Sequence, residues 1–250
     1  MLTAENYFSQ ENNMKYMGAS QFKSFMNCEA AALAEIKGEF EREKTVALLV
    51  GSYVDAHYEG TLDIFSAKNP EIFLKGKSEL KSDYKQANYI IQRLERDELF
   101  QQFMSGEKQV IKTGEIFGVP FKIKIDSYHP GNKIVDLKVM KDFEQIWKDG
   151  IYLNFIEAWG YDIQAAIYQF IEGNNLPFYI AAATKEKPEP DLAIISIPQN
   201  RLDYCLEIVT DNVKRFDDIK KGLIEPTRCE HCDYCKSTKI LTEILDYTSL

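Results

Sequence analysis

The sequence predicts a mixed α/β fold, a central sheet flanked by helices, and two observations carry this prediction. Apolar residues recur at helical spacing through residues 1–105, and the period falls to two from Lys108, as in half-buried strands. A helix, two further strands and a last helix follow, an order typical of helices packed on a mixed sheet. The 250 residues are 45% hydrophobic and contain no Gly/Ser-rich linker. We therefore expect a single domain over residues 1–250.

Within that domain the sequence predicts a helical part over 1–105 with three helices. Ser20 can cap the first, which covers Gln21 to Lys37 and stops at Gly38. The second and third cover about 45–65 and 83–103, and both are amphipathic.

The sheet part is predicted over 106–197. The segments KQVIKTGEIF, VPFKIKIDSY and KIVDLKV alternate in polarity and are separated by Gly118 and by the turn sequence HPGN, so they are expected to be consecutive antiparallel strands. A helix at about 152–172 and the strands FYIAAAT and LAIISI come next. The remaining part, 198–250, is predicted to hold a helix at about 199–221 and a cysteine-rich tail.

Composition excludes some classes of protein. No apolar run approaches the roughly 20 residues of a membrane-spanning helix, which excludes a transmembrane protein. The first residues lack the basic and apolar stretches of a secretory signal, so we expect a cytoplasmic location and no disulfides among the five cysteines. The net charge of −9 argues against a simple nucleic-acid-binding protein, but not against an enzyme that holds cations between carboxylates and DNA between lysines.

The most informative stretch is KIKIDSYHPGNKIVDLK, residues 122–138. A three-residue hairpin loop, Pro130 to Asn132, places Asp126 opposite Asp136 and Lys124 opposite Lys138. A loop one residue longer would put the two aspartates on opposite faces, whereas Asp136 and Lys138 share a face in any register. Paired carboxylates favour a hard cation such as Mg²⁺ between them, and a neighbouring lysine can stabilise charge on a phosphoryl group. The stretch therefore predicts phosphodiester hydrolysis, unless these residues merely line a solvated sheet face.

Asp-x₉-Asp-x-Lys on a strand-turn-strand hairpin, after a strand with Glu115, resembles the PD-(D/E)XK nuclease superfamily. GSYVDAHYEG on an upstream helix and YDIQAAIYQ on a downstream helix extend the resemblance to its RecB-like branch. The resemblance implies a restriction-endonuclease-like core and a Mg²⁺- or Mn²⁺-dependent nuclease. It implies these metal ligands: His57, Asp126, Asp136 and the carbonyl of Leu137. It implies that Lys138 is the catalytic lysine, that Gln164 and Tyr168 position the substrate or the lysine, and that Glu115 assists.

The run RCEHCDYCKS holds Cys229, Cys232 and Cys235 with two residues between successive cysteines, as in soft-metal sites. Cys28, Cys205 and His231 are candidates for a fourth ligand. Several RecB-like nucleases hold a [4Fe-4S] cluster with one N-terminal and three C-terminal cysteines, so the resemblance implies Cys28 as the fourth ligand and favours iron-sulfur, with zinc as the alternative. Cys205 is expected to be a buried apolar residue.

Within the branch the sequence looks most like phage and prophage exonucleases related to exodeoxyribonuclease VIII. That resemblance implies digestion of linear double-stranded DNA from its ends in phage-type recombination, a single-strand annealing protein as partner, and a ring-shaped homo-oligomer. Two alternatives stay open, a non-catalytic DNA-binding or scaffold protein built around the cysteine site, and a structure-specific endonuclease. Candidate phosphate contacts are Lys122, Lys124, Lys141 and Lys148. Aromatic residues that could stack on a base, although core packing is the default for most, are Tyr128, Trp147, Tyr152 and Trp159.

Overall fold

The centre of the fold is a sheet whose five strands have the order β1-β2-β3-β6-β7. The computed structural model describes residues 2–148, 150–242, 244 and 246–249. The strands of the sheet are β1 (Glu107–Ile116), β2 (Val119–His129), β3 (Lys133–Met140), β6 (Phe178–Thr184) and β7 (Leu192–Ser196), and a separate hairpin contains β4 (Ile146–Lys148) and β5 (Ile151–Leu153). β3 and β6 are parallel and the other neighbours in the sheet are antiparallel, so the sheet is mixed, as predicted.

Helices cover both faces of this sheet. Those before the sheet are α1 (Gln10–Lys15), α2 (Ala19–Asn27), α3 (Glu29–Lys37), α4 (Val46–Glu59), α5 (Leu62–Lys68), α6 (Ser82–Glu95) and α7 (Glu98–Met104), and the later ones are α8 (Phe155–Ala158), α9 (Tyr161–Glu172), α10 (Gln199–Lys220) and α11 (Asp233–Ser237). One core joins α2, α3, α9 and α10 to the sheet, and a second joins α4, α6 and α7 to its other face. Among the described helices, none is both long and apolar enough to cross a membrane.

The three N-terminal helices that the sequence predicts are each divided in the structure. The first breaks at Cys28, which has extended backbone angles (φ −162°, ψ 111°) between α2 and α3. The second ends at Gly60, whose φ of 72° closes α4. The third breaks before Asp97, whose side chain caps α7 by accepting a hydrogen bond from the backbone N–H of Phe100. Periodicity continues across these breaks because both halves of each segment face the same core.

The predicted helix over 152–172 begins later than expected. Residues 146–148 pair with residues 151–153 in the β4–β5 hairpin, and Asn154 then caps the short α8. Gly160 (φ 61°) separates α8 from α9, which carries Gln164 and Tyr168 as predicted. Aromatic residues such as those around position 152 occur in strands as well as in helices, so the sequence pattern alone does not locate the start of this helix.

The β2–β3 hairpin has the register that a three-residue loop predicts. Tyr128 faces Ile134 and His129 faces Lys133, with residues 130–132 forming the turn. Gly131 takes φ 68° there, a conformation that favours glycine. Backbone pairing ends at Ser127 and Val135, and beyond this point β2 and β3 separate.

The other end of β2 pairs with the N-terminal segment instead of β3. The backbone N–H of Met17 donates to the carbonyl of Pro120 (2.8 Å), and the N–H of Lys122 donates to the carbonyl of Met17 (2.9 Å). Met17 is completely buried. The segment before α2 therefore stands beside β2 where β3 has moved away.

Glu172, at the end of α9, links the helix to the β1–β2 ladder. Its buried carboxylate accepts hydrogen bonds from the Tyr128 hydroxyl (2.7 Å), Lys112 Nζ (2.9 Å) and the Asn174 N–H (2.9 Å). Burial opposes its ionisation, but these donors outweigh burial and lower the pKa of Glu172 to about 2. The carboxylate therefore contributes stability above its unfolded pKa of 4.5, and this contribution is lost as the pH falls toward 2.

We expect Glu172→Gln to lower the free energy of unfolding by about 1–3 kcal/mol at pH 7, because the donors lose a charged acceptor. Urea unfolding at pH 7 and pH 3 measures this, and the difference from wild type should narrow at pH 3. Glu207→Gln, at an exposed position of α10, is the control and should change little. An equal loss of unfolding free energy at both pH values would contradict a stabilising role for the ionised Glu172 carboxylate.

Candidate active site

A cavity of about 480 Å³ opens where β2 and β3 separate. Its walls come from both strands, from α2, α3, α4 and α9, and from the N-terminal segment. The lining residues that bear on chemistry are Tyr7, Phe8, Asp55, Glu59, Lys124, Asp126, Asp136, Leu137, Lys138, Gln164 and Tyr168. The fork in the sheet thus brings together most of the residues that the sequence predicts.

Asp126 stands at the fork itself. Its Oδ2 accepts a hydrogen bond from the backbone N–H of Leu137 (2.9 Å), and its Oδ1 accepts one from Gln109 Nε2 (3.3 Å). The side chain thus takes the place of a ladder hydrogen bond between β2 and β3. This contact fixes the carboxylate of Asp126 beside the strand that carries Asp136 and Lys138.

Asp136 is buried between a helix and a lysine. Gln164 Nε2, on α9, donates to its Oδ1 (2.7 Å), and the ammonium of Lys138 forms an ion pair with its Oδ2. Among the described residues, none donates a hydrogen bond of regular geometry to Asp136 Oδ2, and this oxygen is contacted by the Lys138 ammonium through the ion pair. The second aspartate is therefore oriented by one neutral amide and one cation.

The charges in the cavity influence one another strongly. Burial and the charge of Asp136 raise the pKa of Asp126 to about 7, and burial with the charge of Asp126 raises the pKa of Asp55 well above its usual range. Burial opposes the charge on Lys138, but Asp136 and Asp126 outweigh it and raise the pKa of Lys138 above its ordinary value. Lys138 therefore remains a cation at physiological pH, while the carboxylates still repel one another.

Tyr168 reaches the same cavity one helical turn after Gln164. Its hydroxyl donates to the backbone carbonyl of Lys124 (3.0 Å), and burial raises the pKa of Tyr168 well above its usual range. The hydroxyl is therefore a neutral donor that holds β2 against α9. In this structure Tyr168 positions the strand that carries Asp126.

Two of the predicted site residues lie elsewhere. His57 is on the side of α4 that faces α6, with Nε2 3.0 Å from Glu95 Oε1, and it does not line the cavity with Asp126 and Asp136. Glu115 is exposed and faces Pro120 across the β1–β2 ladder. The six residue steps from Pro120 to Asp126 span roughly 20 Å of strand. Glu115 is outside the cavity lining and too far from Asp126 to assist at that carboxylate.

Residues 18–238 match the family described as "PDDEXK-like domain of unknown function (DUF3799)". The chain belongs to this PDDEXK-like family. Its structure is also similar to the crystal structure of a "putative exonuclease" from Eubacterium rectale, with a TM-score of 0.94 and 49% sequence identity, covering 100% of this chain and 97% of that one. The crystal structure of SSO0001 has a TM-score of 0.32 and 15% identity over 86% of this chain and 91% of that one, too little to argue from. No curated protein matches the sequence.

The structure adds acidic residues to the PDDEXK-like site that the sequence reasoning missed. Asp55 and Glu59 are four residues apart on α4, and both line the cavity, unlike His57. Glu59 Oε1 lies 3.3 Å from Lys124 Nζ. The signal was present in the sequence, because residues four apart share a helix face whereas residues two apart do not.

The lysines and aromatic residues proposed to contact DNA divide into two groups. Lys122 is buried and its ammonium is taken up by the N-terminal segment, so it is not available to phosphate. Lys124 lines the cavity, and Lys141 and Lys148 are exposed. Tyr128 is buried, as expected for a core residue. The other three aromatic residues are exposed, which differs from the expected core packing: Trp147, Tyr152 and Trp159.

The cysteines of the C-terminal run meet Cys28, at the break between α2 and α3. The sulfurs of Cys28, Cys229, Cys232 and Cys235 all lie within 4.8 Å of one another. Cys205 is buried in the main core, away from this group, and His231 Nδ1 contacts the carbonyl of Cys229 (2.7 Å). Of the candidates for a fourth ligand, the structure therefore brings Cys28 to the run.

The polar surroundings of the sulfurs suit metal-bound thiolates. The N–H of Cys232 donates to Cys229 Sγ (3.3 Å) and the N–H of Cys235 donates to Cys232 Sγ (3.5 Å). Although burial opposes it, backbone N–H groups of His231 and Cys232 lower the pKa of Cys229 to about 6, whereas burial raises the pKa of Cys28. One thiol of the group thus ionises readily near neutral pH.

The two candidate metal sites differ in chemistry. Tetrahedral Zn–S bonds of 2.3 Å place the sulfurs about 3.8 Å apart. The Cys28–Cys235 and Cys229–Cys235 sulfur distances are 3.6 and 3.9 Å. This spacing fits one ion, while a [4Fe-4S] cluster binds each thiolate through a different iron and needs wider spacing. At the fork, Asp126, Asp136 and the Leu137 carbonyl offer oxygen ligands around a wider cavity, a set suited to Mg²⁺ or Mn²⁺.

Proposed function

We propose that this chain is a Mg²⁺-dependent nuclease that hydrolyses the phosphodiester bonds of linear double-stranded DNA from an end. The observation that carries the proposal is the meeting of Asp126, Asp136 and Lys138 in one cavity at the fork of the sheet. Membership of the PDDEXK-like family and similarity to a protein named an exonuclease support it. The linear duplex as substrate rests on the sequence resemblance to end-dependent exonucleases.

The side chains of the cavity supply orientation and charge for this reaction. Asp126, Asp136 and the carbonyl of Leu137 would hold the Mg²⁺, which polarises a phosphoryl oxygen and lowers the pKa of bound water. Gln164 keeps Asp136 oriented through its amide. Lys138 stays protonated, so its role is to stabilise the negative charge that grows on the scissile phosphate rather than to remove a proton.

The proposal also covers the role of the nuclease in phage-type recombination and a structural metal at the four cysteines. Digestion of one strand from an end leaves single-stranded DNA, which in phage-type recombination a single-strand annealing protein would pair, and a ring-shaped homo-oligomer would keep the enzyme on its substrate. Gel filtration with light scattering tests the ring, and co-purification tests the partner. For the four cysteines we propose a zinc ion, because the sulfur distances fit a single tetrahedral ion.

The experiment that tests the function is a substrate panel with matched sequence, incubated with Mg²⁺ or with EDTA. The panel contains linear duplex DNA, the same DNA as a covalently closed circle, linear single strands, branched DNA and RNA. We expect loss of linear duplex alone, only with Mg²⁺. Cleavage of the circle or of branched DNA would favour the structure-specific endonuclease, and binding without cleavage under any divalent metal would favour the scaffold protein.

Within this function, the position of Asp55 inside the cavity and of His57 outside it leads to a separate prediction. Asp55→Asn removes a buried carboxylate from the cavity and should lower the apparent affinity for Mg²⁺ roughly 10- to 100-fold. His57→Gln changes a residue outside the cavity and should leave the rate within about twofold, as surface changes usually do. Initial rates of DNA hydrolysis against Mg²⁺ concentration measure both. A larger effect for His57→Gln than for Asp55→Asn would contradict the placement of α4.

A further inference from the structure

Phe8 is an aromatic residue that stands in solvent at the wall of the cavity. Its side chain is 67% exposed and lines the cavity together with Asp126 and Lys138. The neighbouring Tyr7 is buried, and its ring meets that of Phe8 edge to face at 4.9 Å. Single exposed apolar side chains are common on protein surfaces, but Phe8, unlike Phe117, lines the cavity that holds the charged groups, where a bound ligand would cover its ring.

The backbone around Phe8 is held by an unusual anchor. Lys122 is 2% exposed, and its ammonium bonds to the carbonyl of Tyr7 and to Asn13 Oδ1 (2.7 Å). Asn13 Nδ2 in turn donates to the carbonyl of Phe8 (3.1 Å). Lys122 therefore anchors the carbonyl of Tyr7 directly and the carbonyl of Phe8 through Asn13, so the backbone that carries the Phe8 ring is held in place.

A cation lies over one face of the ring. Lys124 Nζ is 5.2 Å from the centre of the Phe8 ring and 3.3 Å from Glu59 Oε1. Lys124 is two residues before Asp126 on β2, so both side chains point to the same face of the strand. The aromatic face, the ammonium and the aspartate are thus neighbours along one wall.

We propose that Phe8 and Lys124 form a nucleotide subsite, in which the base next to the scissile phosphate stacks on Phe8 and its phosphate contacts Lys124. This inference rests on the proposed nuclease function and names how that site grips its substrate. A planar base matches the ring whatever its sequence, and a phosphate matches the ammonium. Phe8 precedes residue 18, where the match to the PDDEXK-like family begins, so the N-terminal segment supplies this part of the site.

The test measures binding of single-stranded and recessed-end DNA, with every variant in a Lys138→Ala background that is expected to slow cleavage. Phe8→Ala should weaken binding roughly 10- to 100-fold, the loss of one stacked base, whereas Phe8→Trp should restore it. Phe117→Ala is the matched control, since Phe117 is 74% exposed in the β1–β2 turn and lies outside the cavity lining. Because Phe8 is exposed, its variants should melt at the wild-type temperature.

Oligonucleotides with one abasic position, moved stepwise along the strand, make the test specific for stacking. At one position of the missing base, proteins with Phe8 and with Phe8→Ala should bind the DNA equally, because the base that stacks on Phe8 is absent. Lys124→Gln should reduce the slope of log affinity against log salt by roughly 0.7–0.9, the share of one phosphate contact.

Two negative results are distinguishable. If Phe8→Ala binds like Phe117→Ala, or is equally impaired on every abasic strand, the subsite is wrong while the nuclease proposal stands. If no variant binds DNA and the wild-type chain cleaves none, the proposed function itself has failed.

Discussion

Lys138→Ala is expected to lower the rate of DNA hydrolysis roughly 10²- to 10³-fold, the typical cost of removing one preorganised charge from a transition state. The ammonium of Lys138 is paired with Asp136, and the neighbouring carboxylates keep it protonated. It is thus placed to meet negative charge that develops on a phosphate bound at the same aspartates. The effect should appear in kcat, with a smaller change in the apparent affinity for Mg²⁺.

Lys214→Ala is the matched control for this variant. Lys214 lies on α10 outside the cavity lining, its side chain is 64% exposed, and its ammonium pairs with Asp218. Its replacement should change kcat by less than about threefold, in line with exposed ion pairs being weak. Rapid-quench measurement of single turnovers with both variants makes the comparison. Equal loss in the two, or full activity of Lys138→Ala, would remove Lys138 from the reaction.

The second large effect is expected at the cysteine site. Cys28→Ser should release the metal and lower the free energy of unfolding by about 2–5 kcal/mol, similar to the loss of a native cross-link. For a chain of this size that is a fall of roughly 5–15 °C in the unfolding temperature. The site joins the start of α3 to the tail, where Glu29 also pairs with Arg215 and accepts the N–H of Thr227 (2.7 Å). Loss of the metal therefore removes the strongest of several ties between the two ends.

Elemental analysis, visible absorbance and thermal unfolding check this prediction together. Wild-type protein should contain one zinc per chain and be colourless, and Cys28→Ser should contain none. Cys205→Ala removes a buried thiol outside the cluster and should keep the full metal content. A brown protein with visible absorbance, prepared without oxygen, would establish iron-sulfur instead of zinc. A metal-free wild-type protein of unchanged stability would contradict a structural metal.

The β2–β3 hairpin could be predicted from sequence because its information is local. The turn sequence from His129 to Lys133 suits a loop of three residues, the structure has that loop, and its length sets which residues of β2 and β3 face each other. The separation of the strands beyond Ser127 could not be predicted in this way. It depends on the Asp126 carboxylate bonding to the N–H of Leu137 and on Met17 pairing with β2, a contact between distant parts of the chain.

The errors on the helices have a related cause. The sequence places Asp55, His57 and Glu59 on the same helix, but it does not say which side of that helix faces the fork. Packing against α6 decides this and turns His57 toward Glu95. The break at Cys28 was missed for a similar reason, since its purpose is to bring one thiol to a tail more than 200 residues away, as the Cys28–Cys235 contact records.

We propose that the fork of the sheet holds a divalent metal ion and that DNA is hydrolysed there. The most direct measurement is release of nucleotides from end-labelled linear duplex by wild type and by Asp126→Asn, at matched metal content of the cysteine site. We expect Mg²⁺-dependent release by wild type and a loss of at least roughly 10²-fold in Asp126→Asn. Undiminished release by Asp126→Asn would contradict hydrolysis at the fork.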